Sequence, residues 1–199
     1  MSIETEVKFR TEQAAWQQIK EEFGHTYQLD HIEEQTNQYY NTTDGELDRL
    51  KIGLRLRQVK GRSIVNIKRD TKESHKRVEI EETYEGTLDT LPKDSPILND
   101  LLQEIDRTYE EVVPHVAMRT KRYVYLIEEQ TVKIEVCFDE VLITGNGRDY
   151  PLYEIEFELV SGEENRLLQL TDAFRVQHGS RVEQSSVSKL AYALHLVRE

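Results

Sequence analysis

Residues 3–10, IETEVKFR, alternate between uncharged and charged side chains. The uncharged set begins at Ile3, and the set between them, beginning at Glu4, is charged at every position. Because side chains on a β-strand point alternately to its two faces, a period of two separates one face from the other. The stretch therefore predicts a strand with one face suited to a core and one face that is entirely ionic.

The same alternation returns further along the chain. Residues 153–159 place three glutamates on one face and apolar residues on the other, and residues 132–139 have a similar pattern. Turn residues such as Asp44-Gly45 and Lys60-Gly61 separate several of the candidate strands. We predict further strands at residues 38–41, 53–59, 63–68, 77–84, 116–126, 131–142 and 151–160.

Apolar residues at helical spacing occur in four other segments. Trp16, Ile19 and Phe23 share one side of the segment that follows the first strand, and Gly24 ends it. We predict helices at residues 11–23, 96–106, 163–178 and 186–197. No repeat or linker interrupts the pattern, so we expect a single domain over residues 1–199.

Composition restricts the classes of function. A net charge of −12 disfavours non-specific nucleic-acid binding, which depends on clustered lysines and arginines. No stretch has the roughly 18 to 20 apolar residues of a membrane helix, and residues 1–10 do not resemble a signal peptide. The single cysteine, Cys137, cannot form an internal disulfide or a cysteine-based zinc site. We therefore expect a cytoplasmic protein with neither a nucleic-acid nor a membrane partner.

The charged faces of the predicted strands, here called ionic rows, bear on whether the sheet is open or closed. Any single row is compatible with the solvated face of an ordinary antiparallel sheet. Amphipathic helices, however, need an apolar surface to cover, and if they occupy the apolar faces, the ionic faces must point elsewhere. About eight strands can close into a barrel with room inside for one small ligand. We therefore predict an α+β fold, a closed antiparallel eight-stranded β-barrel with amphipathic helices packed outside.

An interior of this kind predicts a particular ligand. Crowded glutamates lose hydration and repel one another, which raises their pKa values unless a cation compensates. Oxygen-rich clusters suit Mg²⁺ or Mn²⁺, while arginine and lysine match phosphate oxygens. Carboxylates on one wall and cations on another favour a ligand that is itself a chain of phosphates.

The first strand also carries a family signature. Glu4, Glu6 and Lys8 in Ile-Glu-Thr-Glu-Val-Lys-Phe resemble the ExExK motif of the CYTH superfamily, the triphosphate tunnel metalloenzymes. This superfamily includes class IV adenylate cyclases, thiamine triphosphatases and inorganic triphosphatases. The order of the later matches makes the combination specific, and the resemblance covers nearly the whole chain.

The resemblance implies roles for individual residues. Metal ligands would be Glu4, Glu6, Asp139, Glu154 and Glu156. Substrate contacts would be Lys8, Arg55, Arg57, Lys68, Arg77, Arg119, Lys121, Arg122 and Lys189, and which two of Arg119, Lys121 and Arg122 point inward stays open. Catalysis would involve Glu4, Glu6, Lys8 and Lys189. The role of Arg77, with Glu79 and Glu81, is less well defined.

Several of these residues also have a structural interpretation. Lys189 is compatible with a surface helix position and Glu158 with a solvated row. Glu135 is compatible with an ion pair to Lys133 or to a neighbouring strand. Tyr39 and Tyr40 are compatible with packing. We interpret all six histidines as surface or structural residues and find no pairing that would make Cys137 a nucleophile.

The resemblance implies hydrolysis of a terminal phosphoanhydride, of inorganic triphosphate or an organic triphosphate such as thiamine triphosphate, with Mg²⁺ or Mn²⁺. The alternatives are a class IV-type adenylate cyclase, a non-catalytic polyphosphate or nucleotide sensor, and a scaffold with solvated ionic faces. A small-molecule triphosphate is the expected partner. A homodimer is compatible with a barrel of this size, and no sequence feature decides it.

Overall fold

The computed structural model describes residues 2–198. Eight long strands are connected either directly by turns or through helices, and a ninth short strand precedes the last helix. The strands are β1 (Ser2–Thr11), β2 (Leu29–Thr42), β3 (Ile52–Val59), β4 (Arg62–Asp70), β5 (Lys76–Glu85), β6 (Val112–Glu129), β7 (Val132–Gly145), β8 (Arg148–Gly162) and β9 (Glu183–Ser185). The helices are α1 (Gln13–Gly24), α2 (Glu46–Arg49), α3 (Pro96–Glu104), α4 (Glu164–His178) and α5 (Lys189–Arg198).

Eight strands form a closed antiparallel barrel, as predicted. Their order around the barrel is β5-β4-β3-β2-β6-β7-β8-β1, and pairing of β1 with β5 closes it. The first half of β1 pairs with β5, and its second half pairs with the short strand β9. In this order β3 and β8 are four strands apart in either direction, so they lie across the barrel from one another.

Helices cover the apolar outer faces of the strands. One core lies beneath α1 and α4, where the rings of Phe9, Phe157 and Phe174 meet and Trp16 packs against Phe138. A second core lies beneath α3, and a third is formed with α5. Because the apolar alternate residues are used in these cores, the other alternate residues of the same strands point into the barrel.

The helix α3 begins at a cap that its sequence specifies. The Ser95 side chain accepts a hydrogen bond from the backbone N–H of Leu98, and Pro96 occupies the first helical position. Leu98, Leu101 and Leu102 then lie on the buried side. No helix in residues 2–198 is long and apolar enough to cross a membrane.

The strand predictions are correct in kind and too short in extent. The strand expected at residues 38–41 begins at Leu29 and pairs with β6 along its whole length. The mostly polar sequence of residues 31–37 shows no apolar alternation, so the sequence did not predict this part of the strand. The short elements α2 and β9 were not predicted. The last helix begins at Lys189, so residues 186–188 precede it instead of forming its first turn.

Candidate active site inside the barrel

The inside of the barrel contains a cavity of about 930 Å³, lined by residues from all eight strands and from the segment at α5. Acidic residues along the strands of this lining are Glu4, Glu6, Glu33, Asp70, Glu79, Glu81, Glu135, Asp139, Glu156 and Glu158. Basic residues on the strands and at the start of α5 are Lys8, Arg55, Arg57, Lys68, Lys76, Arg77, Arg122 and Lys189. The lining is therefore ionic, as the alternation predicted.

Strand β3 contributes two arginines whose donors are only partly used. Arg55 is 7% exposed, and its Nη1 donates to the Tyr39 hydroxyl at 3.3 Å. Its Nε and Nη2 have no hydrogen-bond partner among the described residues. Arg57 Nε donates to Asn37 Oδ1 at 3.1 Å. Because buried donors without partners are costly, this wall is suited to an anion that would accept from them.

Electrostatics on the same wall supports this interpretation. Burial, reinforced by the nearby guanidinium groups of Arg55 and Arg122, lowers the pKa of Arg57 to about 10. The side chain stays charged at neutral pH, so this wall places a buried guanidinium group close to two others. For Tyr39, burial acts to raise the pKa, but the charge and hydrogen bond of Arg55, together with the charges of Arg57 and Lys189, outweigh it and lower the pKa.

The signature residues of β1, Glu4, Glu6 and Lys8, take part in ion pairs inside the barrel. Lys8 Nζ is 2.7 Å from Glu6 Oε1, and Arg77 Nη1 is 3.2 Å from the same oxygen. Glu4 accepts from Lys68 Nζ at 2.6 Å. Burial acts to raise the pKa of Glu6, but the neighbouring cations, Lys8 foremost, outweigh it and hold the pKa below its ordinary value.

A second carboxylate group is organised by Arg122 and Lys189. Arg122 donates to both oxygens of Asp139, at 2.8 and 2.7 Å, and to Glu156 at 2.6 Å. Lys189 Nζ lies 3.0 Å from Asp139 and also contacts Glu156. Burial opposes ionisation, yet these contacts place the pKa of Glu156 well below, and that of Lys189 well above, the ordinary value. Lys189 is therefore a cavity residue, only 14% exposed in its side chain, and not a surface lysine.

Glu158 lies inside the cavity and is not part of a solvated row. Burial, together with the nearby carboxylate of Glu4, raises its pKa to about 7. The ladder pairs Glu158 with Glu6 of β1 and with Glu135 of β7, so carboxylates flank it on both neighbouring strands. The alternating row in residues 153–159 contained this signal.

Three predicted site residues lie elsewhere. Arg119 and Lys121 are exposed on the outer face of β6, because Thr120 and Arg122 take the inward positions. Lys121 Nζ lies 5.5 Å from the outward-facing ring of Tyr123. Glu154 is fully buried and is not among the described residues that line the cavity. Its carboxylate is directed to Arg10 and Lys189.

The other four predicted metal ligands are carboxylates that border the cavity. Glu4, Glu6, Asp139 and Glu156 offer oxygens from three adjacent strands, β1, β8 and β7, within one cavity. Burial first, and then the carboxylates of Glu4 and Glu156, raise the pKa of the neighbouring Glu158, and the charges of Lys68 and Arg122 do not offset this rise. Oxygen donors without sulfur or histidine suit Mg²⁺ or Mn²⁺.

A separate group, Glu73, His75 and Glu164, is the only one among residues 2–198 that brings three potential ligand atoms within 4.8 Å of one another. Here His75 Nε2 is 2.6 Å from Glu164, and Lys76 Nζ lies 2.7 Å from Glu73 and 2.8 Å from Glu164. This group ties the β4–β5 connection to the start of α4, which agrees with the structural role expected for His75.

Comparison with known proteins agrees with this geometry. The chain is 29% identical over 164 residues to the inorganic triphosphatase of Haemophilus influenzae, covering 79% of this chain and 45% of that protein. The chain thus spans less than half the length of this relative.

Solved structures share the fold. A protein from Hippeastrum, provisionally named an adenylyl cyclase and having a dominant triphosphatase activity, superposes with a TM-score of 0.72 at 23% identity, covering 96% of this chain and 95% of that one. A provisionally named adenylate cyclase from Bacillus halodurans gives a TM-score of 0.69 at 17% identity, covering 96% and 97%. The CYTH domain family model matches residues 2–192. The ExExK strand, the closed barrel and this match together show that the chain belongs to the CYTH domain family.

Proposed function

We propose that this protein is a divalent-metal-dependent triphosphatase, which hydrolyses the terminal phosphoanhydride of inorganic triphosphate or of an organic triphosphate such as thiamine triphosphate. The observation that carries the proposal is Arg55, whose Nε and Nη2 are buried in the cavity without a hydrogen-bond partner among the described residues. Buried donors of this kind are expected to bind an anion.

The placement of charge across the cavity supports a polyphosphate over a simple anion. Arg55 and Arg57 of β3 lie across the barrel from the glutamates of β8. A single phosphate bound by the arginines would leave the carboxylates without a role. A chain of phosphates can be held by arginine at one end and, through a metal ion, by carboxylates at the other.

The metal would be held by Glu4, Glu6, Asp139 and Glu156, the carboxylates that border the cavity. Bound there, Mg²⁺ or Mn²⁺ supplies a Lewis acid that neutralises charge on the phosphate oxygens. The chain's own cations have complementary tasks. Arg55 and Arg57 bind and orient the triphosphate, while Lys8 and Lys189, each in contact with a proposed metal-binding carboxylate, bring positive charge to the reacting end.

The reaction proposed is attack of a water oxygen on the terminal phosphorus with cleavage of its anhydride P–O bond, releasing inorganic phosphate and the shortened phosphate chain. Phosphoryl transfer depends mainly on positioning and on neutralising charge, which the two walls of the cavity provide. Cys137 is buried, and burial raises its pKa well above the ordinary value, so it is not suited to act as a nucleophile. We expect no covalent intermediate.

An adenylate cyclase is the closest alternative, since proteins of similar fold carry that provisional name. Among the described lining residues, Tyr39 is the only tyrosine, phenylalanine or tryptophan, and its hydroxyl accepts from Arg55. The cavity thus offers little aromatic surface for an adenine ring. The relatives with a stated triphosphatase activity also favour hydrolysis.

A non-catalytic polyphosphate sensor is the alternative from another class. A protein that only binds phosphate gains nothing from facing the ligand with several carboxylates, because they repel it. Glu4, Glu6, Asp139 and Glu156 all border the cavity, which supports metal-dependent chemistry over binding alone.

The test is incubation of the purified protein with inorganic triphosphate, thiamine triphosphate and ATP, each with Mg²⁺, Mn²⁺ or EDTA, with every product resolved by chromatography. Phosphate release that EDTA abolishes supports the proposal and ranks the substrates. Cyclic AMP with pyrophosphate would establish the cyclase instead. Tight binding of these compounds without turnover would place the protein among the sensors.

A further inference from the structure

Arg10 ends the inward-facing row of β1, two residues after Lys8, and its guanidinium makes three contacts. Nε donates to Glu154 Oε1 at 2.9 Å, and Nη2 donates to the backbone carbonyl of Val187 at 3.0 Å. The guanidinium carbon lies 4.0 Å from the centre of the Tyr192 ring. One side chain of the barrel therefore holds both the segment that leads into α5 and the first turn of that helix.

Glu154 continues this set of contacts to Lys189. The carboxylate is fully buried, and its second oxygen, Oε2, lies 3.0 Å from Lys189 Nζ. That contact is an ion pair outside hydrogen-bond alignment, since Oε2 has no hydrogen-bond partner among the described residues. A buried carboxylate is stable only when paired, and Arg10 supplies its aligned partner. Arg10, Glu154 and Lys189 thus form a continuous charged chain.

The contacts that Arg10 makes with Glu154, Val187 and Tyr192 differ from the other contacts of Lys189 in their position relative to the cavity. Asp139 and Glu156, which also contact Lys189, border the cavity and are proposed metal ligands. A metal or phosphate in the cavity competes for those contacts. Glu154 lies outside the cavity lining, and the contacts of Arg10 with Val187 and Tyr192 lie on the C-terminal segment itself. These contacts therefore persist when the cavity is filled.

We propose that Arg10 is a positioning residue, which acts through Glu154 and through residues 187–192 to hold Lys189 at the reacting end of the triphosphate. The inference rests on the proposed function, in which Lys189 serves the reaction. Arginine suits this task because its planar fork can donate in two directions while its face stacks on an aromatic ring. Lysine, with a compact ammonium, could replace the charge beside Glu154 but not all three contacts.

The first experiment is a double-mutant cycle on triphosphate hydrolysis, using wild type, Arg10→Met, Lys189→Met and the double variant. If Arg10 acts through Lys189, Arg10→Met lowers kcat at least about tenfold with a smaller effect on KM. In the Lys189→Met background the same change has an effect of less than about twofold. Arg10→Lys restores part of the lost kcat. Multiplicative losses in the double variant would overturn the proposal.

Arg175→Met is the matched control, because Arg175 is an exposed arginine on α4 whose ion pair is with Asp172 of the same helix. Its kcat and KM are expected to equal those of wild type. Thermal unfolding of every variant establishes that kcat is compared between folded proteins. An Arg10→Met variant with wild-type kcat would also overturn the proposal.

A second readout does not depend on activity. Amide hydrogen exchange of residues 187–192 is expected to be at least about tenfold faster in Arg10→Met than in wild type and unchanged in Arg175→Met. Should wild type hydrolyse no triphosphate, the proposed function fails, and the exchange rates still decide whether Arg10 anchors this segment. Equal exchange in Arg10→Met and wild type would contradict the anchoring role.

Discussion

Glu158 offers a direct test of the electrostatics inside the barrel. Its pKa is raised to about 7 from an ordinary value of 4.5, by burial first and by the carboxylate of Glu4 second. A carboxyl group whose pKa is higher in the folded than in the unfolded protein destabilises the fold when it ionises. The cost begins as pH rises past the unfolded value and is complete above the folded one. Stability should therefore fall between about pH 4.5 and about pH 7.

The size of the effect follows from the same values. A rise from 4.5 to about 7 corresponds to about 3 kcal/mol, at roughly 1.4 kcal/mol for each pKa unit. Glu158→Gln keeps the shape of the protonated side chain and cannot ionise. Relative to wild type, this variant is expected to be nearly equal in stability at pH 4 and more stable by up to about 3 kcal/mol at pH 8.

The assay is urea unfolding of both proteins in EDTA at several pH values, since EDTA removes any cation that would neutralise the carboxylates. Glu21→Gln, on the exposed face of α1, is the matched control, with an expected difference within about 0.5 kcal/mol at every pH. A Glu158→Gln gain that did not grow between pH 4 and pH 8 would refute the reasoning that Glu158 is a crowded, poorly compensated carboxyl group.

Other residues give equally specific expectations. Arg55→Met removes buried donors proposed to bind phosphate, and a hydrogen bond to a charged group contributes about 1.5–3 kcal/mol, so calorimetric affinity for inorganic triphosphate should fall roughly 10- to 100-fold. Arg119→Met, on the outer face, should leave that affinity unchanged, and equal losses in both variants would contradict the assignment of the inner wall. Gly162→Ala places a methyl group 2.1 Å from the Thr131 carbonyl oxygen at a φ of +103°, and should cost at least about 2 kcal/mol in chemical unfolding. Gly147→Ala, in open space at a φ of +72°, should lower the free energy of unfolding by only about 1 kcal/mol. A larger loss in Gly147→Ala than in Gly162→Ala would show that the close backbone contact at Gly162 does not determine the cost.

The period of two predicted the ionic interior because it depends only on the geometry of a strand. Once the apolar residues of β1 are buried beneath α1 and α4, Glu4, Glu6 and Lys8 must point inward. Closure of the barrel was inferred from the need to cover apolar faces with helices, and the pairing of β1 with β5 confirms it. These features follow from local pattern and elementary packing.

It was harder to predict which basic side chains of β6 point into the barrel, because basic residues occur at both odd and even positions in residues 119–122. The neighbouring residues do not resolve this, because residues 123–127 are apolar at both odd and even positions. The structure decides it: Tyr125 and Ile127, at odd positions, pack in the core beneath the helices, so Arg119 and Lys121 share the outer face.

Pairing between distant strands could not be predicted from alternation. Glu154 belongs to the same row as Glu156, yet it is removed from the cavity because the β1–β8 register places it opposite Arg10. The contacts of Arg10 with Val187 and Tyr192 join residues about 180 positions apart along the chain. Neither arrangement has a local sequence signal, since each depends on the register and on where α5 packs.

The most direct test of the central claim is the rate of phosphate release from inorganic triphosphate with Mg²⁺, compared among wild type, Glu6→Gln and Arg119→Met. Glu6 borders the cavity within the signature strand, whereas Arg119 lies outside the barrel. Activity that EDTA and Glu6→Gln each abolish in a folded protein, and that Arg119→Met retains, is the predicted result. Wild-type turnover in Glu6→Gln at limiting Mg²⁺ would contradict a metal-dependent reaction inside the barrel.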